Sequence, residues 1–116
     1  MDQIRRRRLE ELIREEISRM IAMGEIKDPR VNSFLSITRV EASQDGSHAK
    51  LWVSSLEDND ARVDAGAAGL AHAAGFIQAT IAKRVRLRLT PILSFIADRG
   101  IKESFEINEK LKDLLK

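Results

Sequence analysis

The sequence predicts an α+β domain: a three-stranded sheet with helices packed on one face, in the order α-β-β-α-α-β-α. Three observations carry that reading. Leu9, Leu12, Ile13, Ile17, Met20 and Ile21 recur at the three-and-four spacing of one helical face. Asp45-Gly46, the strongest short hairpin-turn signal, lies between two runs that pair well as strands. Thr90-Pro91, which biases the backbone to an extended form, opens an apolar strand after two helical segments. A chain of 116 residues suits one domain with a single core over 1–116 and is too short for two.

The first helix is expected to end at Gly24. If a two-residue turn joins the first two strands, Ala42 faces Ala49, Val40 faces Leu51 and Thr38 faces Val53 on the core side. On the open side Glu41 then faces Lys50 and Arg39 faces Trp52, an ion pair and a cation-π pair. Phe34, Leu35 and Ile37 break strict alternation, which admits a bulge or two-sided burial there. From Asn59 or Asp60 an alanine-rich helix runs through Ala74, its acidic start suiting the macrodipole and its glycines weakening it. A further helix follows from Phe76, with Ile77, Ile81 and Val85 recurring on its buried side. The third strand starts near Pro91 and carries Leu93, Phe95 and Ala97 on one face. Gly100 breaks the chain, and a last helix places Ile107, Leu111, Leu114 and Leu115 on one stripe. The sequence has no internal repeat, low-complexity segment or linker.

Twenty Lys and Arg against eighteen Asp and Glu give a formal charge of only +2, so local distribution must carry any case for a polyanionic partner. That distribution is uneven: residues 57–64 sum to −3 and residues 83–88 to +4. Lys83, Arg84, Arg86 and Arg88 form a cationic ridge in either backbone geometry. On a helix Lys83 neighbours Arg86 and Arg84 neighbours Arg88; in an extended chain Arg84, Arg86 and Arg88 share one face, opposite Val85, Leu87 and Leu89. Ala73-Ala74-Gly75 marks a break between the paired helices, and Ala73, Ala74, Gly75 and Gln78 are candidate RNA contacts beside the ridge. Gly66-Ala67-Ala68-Gly69 spells the Gly-x-x-Gly of an RNA clamp, but it lies within a helix and lacks cationic middle residues, so it reads as a decoy.

Arg5, Arg6, Arg7 and Arg8 are either a mobile basic arm reaching for phosphates or the solvated first turn of the first helix, where four cations oppose the macrodipole. Arg39, Lys50 and Trp52 on the open sheet face are weaker RNA candidates, since a lone aromatic is more often a surface pair. The competing explanation of every cationic group is an ordinary solvated face neutralised by nearby acids.

Other functional classes lack parts. The sequence has no cysteine, which excludes disulfides and thiolate metal sites and fits a reducing cytoplasm. His48 and His72 fall on different elements, with no clustered carboxylate to complete a metal site. The acidic run from Asp58 has Val63 and Gly69 where a calcium loop needs glycine and glutamate. With no nucleophile motif or phosphate-cradling loop, neither enzyme activity nor a cofactor is expected. No apolar run approaches the roughly 20 residues of a membrane span and no signal peptide is evident, so a soluble, cytoplasmic protein is expected.

A helix pair between a hairpin and a third strand is the order of a type II KH-like domain. Within that order the chain resembles the ribosome-binding factor A family, on Ile37-Thr38-Arg39-Val40-Glu41-Ala42-Ser43 with Asp45, on Ala73-Ala74-Gly75, on Arg86-Leu87-Arg88, on Pro91-x-Leu93-x-Phe95-x-x-Asp98, and on the closing Ile107, Leu111, Leu114 and Leu115. It departs where Gly100 replaces a usual serine and in lacking the extended tail of some members. The resemblance implies a non-enzymatic monomer that binds immature 16S rRNA in the free small ribosomal subunit. It implies a role in late maturation, rRNA processing and cold adaptation, with release promoted by a small-subunit GTPase. The alternatives are a protein-interaction module, or a KH-like RNA-binding protein not tied to the ribosome; salt-dependent rRNA binding separates the RNA readings from the first.

Overall fold

A computed structural model describes residues 2–57 and 59–98. Its elements are α1 (Gln3–Ala22), β1 (Leu35–Ala42), β2 (His48–Ser55), α2 (Asp60–His72), α3 (Ala74–Arg84) and β3 (Ile92–Ala97). The last helix expected from the sequence, and the Gly100 break before it, lie outside the described residues. The Asp2 carboxylate caps α1 by accepting from the Arg5 N–H at 2.9 Å. Arg5–Arg8 are therefore the first two turns of a helix and not an arm. At its other end Gly24, at φ +66°, closes α1. The Gly24 N–H donates to the Ile21 carbonyl and the Glu25 N–H to that of Met20, a Schellman motif that satisfies two orphan acceptors.

The hairpin keeps the expected register from Ala42↔Ala49 to Arg39↔Trp52, but its turn is longer than two residues. Ser43 still pairs with His48, its N–H donating to the His48 carbonyl at 2.8 Å, so Gln44–Ser47 make the loop. Asp45 Oδ1 holds that loop by accepting from the Ser43 and Ser47 hydroxyls and the Ser47 N–H. Thr38 does not face Val53; Ile37 does, because a bulge intervenes between Ile37 and Arg39. The bulge lets Leu35 and Ile37 turn inward while the Thr38 hydroxyl stays outside, donating to Asp98 Oδ2 at 2.7 Å. Glu41 and Lys50 stand opposite as expected, yet the Glu41 carboxylate pairs with Arg39 at 2.6 Å. The Arg39 guanidinium lies 4.6 Å from the Trp52 ring centre, which holds it on the open face within reach of Glu41.

β3 pairs in parallel with β2, from His48↔Ile92 to Val53↔Ala97, so β2 is the central strand. Parallel neighbours need a long crossover, and α2 and α3 supply it. The core lies between the sheet and the helices. Ile13, Ile17 and Met20 of α1 meet Leu51 and Val53 of β2, Leu70 of α2, Ile77 and Ile81 of α3, and Leu93 of β3. Val40 and Phe95 pack half-buried against it, while Arg39 and Lys50 are exposed and Trp52 is half-buried on the other face.

Asn59 caps α2 through the N–H groups of Ala61 and Arg62. The break between α2 and α3 falls at Ala73, at φ −88° and ψ 5°, so both helix boundaries shift from those expected at Ala74 and Phe76. Gly75 sits in the first turn of α3 without a positive φ, and a methyl added there would meet nothing within 4 Å. Gly66 differs. A Cβ there would stand 2.5 and 2.7 Å from the two methyls of buried Leu35, and one at Gly69 would stand 3.0 Å from Arg30 and Val31. The Gly-x-x-Gly pair is thus the face on which β1 and the loop before it approach α2.

Gly75→Ala should stabilise the fold by up to ~1 kcal/mol through helix propensity, whereas Gly66→Ala should destabilise it by about 1–2 kcal/mol, because overpacking outweighs the same gain. Urea denaturation of the two variants reads the opposite signs. In the loop facing Gly69, the hydrogen bond from Arg30 lowers the Asp28 carboxyl from 3.8 to about 2. A depressed carboxyl stabilises above its unfolded pKa and loses that contribution as pH falls through the folded one. The stability lead of the native protein over Asp28→Asn should therefore shrink between about pH 4 and pH 2, followed by urea melts across that range.

Candidate nucleic-acid interface

The cations of residues 83–88 do not form one ridge. Lys83 and Arg84 lie in the last turn of α3, and the chain becomes extended at Val85, so the segment uses one backbone geometry and then the other. Arg84 makes a bidentate pair with Glu25, both bonds 2.8 Å, and Glu25 is held in place by the Schellman turn of α1. That pair keeps the Glu25 carboxyl below its ordinary range and raises the Arg84 guanidinium. Lys83 and Arg84 border a shallow concavity with Met23, Lys27 and Phe76.

Arg86 and Arg88 belong to a different surface. Between α3 and β3 the side chains of Val85 and Leu87 turn toward the core, while Arg86 and Arg88 are exposed. The segment ends on buried Pro91, and the Ile92 N–H donates to the Ser47 carbonyl in the hairpin loop at 2.9 Å. α1 is fastened to the same end of the sheet, since Glu10 Oε2 accepts from the Ala42 N–H at 2.8 Å. Between these walls lies an open cleft of about 510 Å³ lined by Leu9, Leu12, Leu87 and Leu89, with Arg5, Arg8, Arg86 and Arg88 around it and Asp45-Gly46 at the hairpin. Two basic segments some 80 residues apart in sequence thus meet over leucines.

The pattern of ion pairs sets the two basic segments apart from the rest of the surface. Arg14, Arg19, Arg30, Arg39, Arg62 and Arg84 each stand within 4 Å of a carboxylate, and Arg5 lies 3.6 Å from Asp2. Among the described residues Arg6, Arg7, Arg8, Arg86 and Arg88 have no carboxylate partner, and all five lie in the two basic segments. Cations gathered without counter-charges repel one another, and an anion entering between them relieves that repulsion.

The other candidates lie elsewhere. Ala73, Ala74 and Gly75 are at the opposite end of α3, about 16 Å from Arg84 along an 11-residue helix. The Gln78 side-chain carbonyl accepts from the Leu93 N–H at 3.1 Å, so Gln78 braces α3 on β3. Arg6 is half-buried, and Arg7 borders one concavity with Thr38 and Arg39 and another with Arg8, but does not line the cleft. Arg39, Lys50 and Trp52 occupy the open sheet face. Sequence reasoning missed the leucines and Asp45 as parts of a site. The available signal was the parallel β2–β3 order, which carries the start of β3 to the hairpin end. Among the described residues no group of His, Asp or Glu could hold a metal ion, and no helix is long and apolar enough to cross a membrane.

The element order and mixed sheet define a type II KH-like domain, here with a basic cleft at its hairpin end. The family model of ribosome-binding factor A matches residues 5–111, and a ribosome-binding factor A of Treponema denticola is 47% identical over 98% of this chain and 86% of its own length. The chain belongs to the ribosome-binding factor A family. It is similar to the solution structure of a putative ribosome-binding factor A from Thermotoga maritima, at TM-score 0.69 and 32% identity, covering 87% of this chain and 93% of that one. It is also similar to a Thermus thermophilus homology model fitted into a cryo-EM map of a 30S–RbfA complex, at TM-score 0.51 and 27% identity, covering 75% and 92%.

If the unpaired arginines meet phosphates, Arg86→Gln/Arg88→Gln should make the slope of log affinity against log salt for rRNA shallower by about 1.4–1.8. Lys83→Gln/Arg84→Gln, which removes the same charge but includes the arginine held by Glu25, should change it less. Filter binding over a salt series compares the two.

Proposed function

We propose that this protein is an assembly factor of the small ribosomal subunit that binds immature 16S rRNA in free subunits and assists its late maturation. The observation that carries the reading is the convergence of Arg5, Arg8, Arg86 and Arg88 on one cleft of a ribosome-binding factor A domain. Family membership directs those charges to the ribosome. The relative fitted into a 30S complex supports the small subunit as the particle. Phosphate contacts of this kind supply affinity and orientation. Under this proposal the protein acts in the cytoplasm as a monomeric single domain, without catalysis or cofactor. Its contribution is in rRNA processing and growth in the cold, and a GTPase of the small subunit promotes its release. The break at Ala73–Gly75, Gln78, Lys83, Arg84 and the remaining residues of Arg5–Arg8 complete the proposed RNA surface, with Arg39, Lys50 and Trp52 as a secondary contact.

Sedimentation of the tagged full chain in cell lysate tests this. The protein should run with free small subunits, be absent from translating ribosomes, and leave the subunits when Arg86 and Arg88 are both replaced by glutamine. Salt-insensitive association with a single protein, and none with subunits, would establish an interaction module in its place.

A further inference from the structure

The cleft that gathers Arg5, Arg8, Arg86 and Arg88 is not a flat basic patch. Leu9 and Leu12 of α1 and Leu87 and Leu89 of the segment before β3 line it, and Leu89 is 55% exposed. A site for phosphates alone needs no apolar lining, because phosphates make no use of leucine. At about 510 Å³ the cleft has the size of small-ligand sites, roughly 300–1,000 Å³. Asp45 borders the same space. Its bonds to Ser43 and Ser47 all fall on Oδ1, and those bonds hold the carboxyl far below its ordinary range, hence ionised. An ionised acceptor beside four arginines and four leucines offers a partner to a hydrogen-bond donor as well as to anionic and apolar groups. It favours a ligand with anionic, apolar and N–H-donor parts together. A nucleotide has all three.

Resting on the RNA-binding reading above, we propose that this cleft receives one unstacked rRNA base bearing an exocyclic amino group. The base face lies on the leucines, its amino group donates to Asp45, and the flanking phosphates meet Arg5, Arg8, Arg86 and Arg88. Unstacked bases are the usual targets of sequence-selective RNA recognition, and a carboxylate accepting from a cytosine amino group is an established base contact. The site lies at the far end of α3 from the Ala73–Gly75 break, so it is separate from any contact made there.

The test uses the full chain and nine-residue single strands of equal charge: oligo(C), oligo(U) and an abasic ribose-phosphate strand. Oligo(C) should bind on the order of tenfold more tightly than oligo(U), which presents a carbonyl where cytosine has the amino group, and the abasic strand should bind most weakly. Leu89→Ser, at an exposed position that the fold tolerates, should weaken both base-bearing strands and leave the abasic strand unchanged. Arg86→Gln/Arg88→Gln should weaken all three alike. Equal affinity for all three strands, with the arginine variant still weakened, would overturn base capture and leave the phosphate reading standing. No effect of the arginine variant on any strand would remove the cleft from RNA binding altogether. Binding of an acidic leucine-rich helical peptide, without binding to any strand, would assign the cleft to a protein partner.

Discussion

The parallel pairing of β3 with β2 is the constraint on which the remaining arrangement depends. Because Ile92 stands beside His48 and Ala97 beside Val53, the chain must enter β3 at the hairpin end of the sheet. The crossover through α2 and α3 therefore ends there, and residues 85–91 arrive next to the hairpin loop, where the Ile92 N–H meets the Ser47 carbonyl. Antiparallel pairing would have delivered Arg86 and Arg88 to the other end, near Leu35 and Ser55. The bond from the Ala42 N–H to Glu10 fixes the first turns of α1 at the same end. One decision about strand direction, and one carboxylate, thereby bring the two basic segments together.

Electrostatics gives that placement its meaning. Exposed ion pairs contribute little to stability, so the pairs of Arg14, Arg39, Arg62 and Arg84 say little about how firmly the fold is held. They do show that acids are available across the surface and that most arginines have found one. The arginines without such partners among the described residues occur only in the two basic segments. Arg84 shows the contrast within a single run: two residues from Arg86, it is claimed by Glu25 on both oxygens. A chain of net charge +2 can still present a concentrated basic site, because neutralisation is local.

The glycines divide by the same kind of local reason. Gly66 and Gly69 are spaced to put a bare strip on α2, and Leu35, Arg30 and Val31 lie against it. That close approach seats the start of β1 and the loop before it, so a motif that spells an RNA clamp serves packing. Gly75, which the sequence marks as the break, has open space around it and follows the break at Ala73. Its position leaves the α2–α3 junction small and accessible without being the cause of the turn.

What the sequence determined by itself was local or periodic. The helical stripe of α1, the hairpin register from Ala42 to Arg39 and the inward set of Leu93, Phe95 and Ala97 follow from periods of 3.6 and 2, which any chain must obey to bury one face. The element order and the family motifs were legible for the same reason, and they placed the basic segments correctly along the chain. The tertiary structure decided what depends on residues far apart. It set the bulge that turns Ile37 and not Thr38 toward Val53, the capture of Arg84 by Glu25, and the helical state of Arg5–Arg8. It also joined Leu9 and Leu12 to Leu87 and Leu89 over a gap of more than seventy residues. No periodicity encodes such a meeting, because it follows from strand direction and from which polar group reaches which partner across the fold.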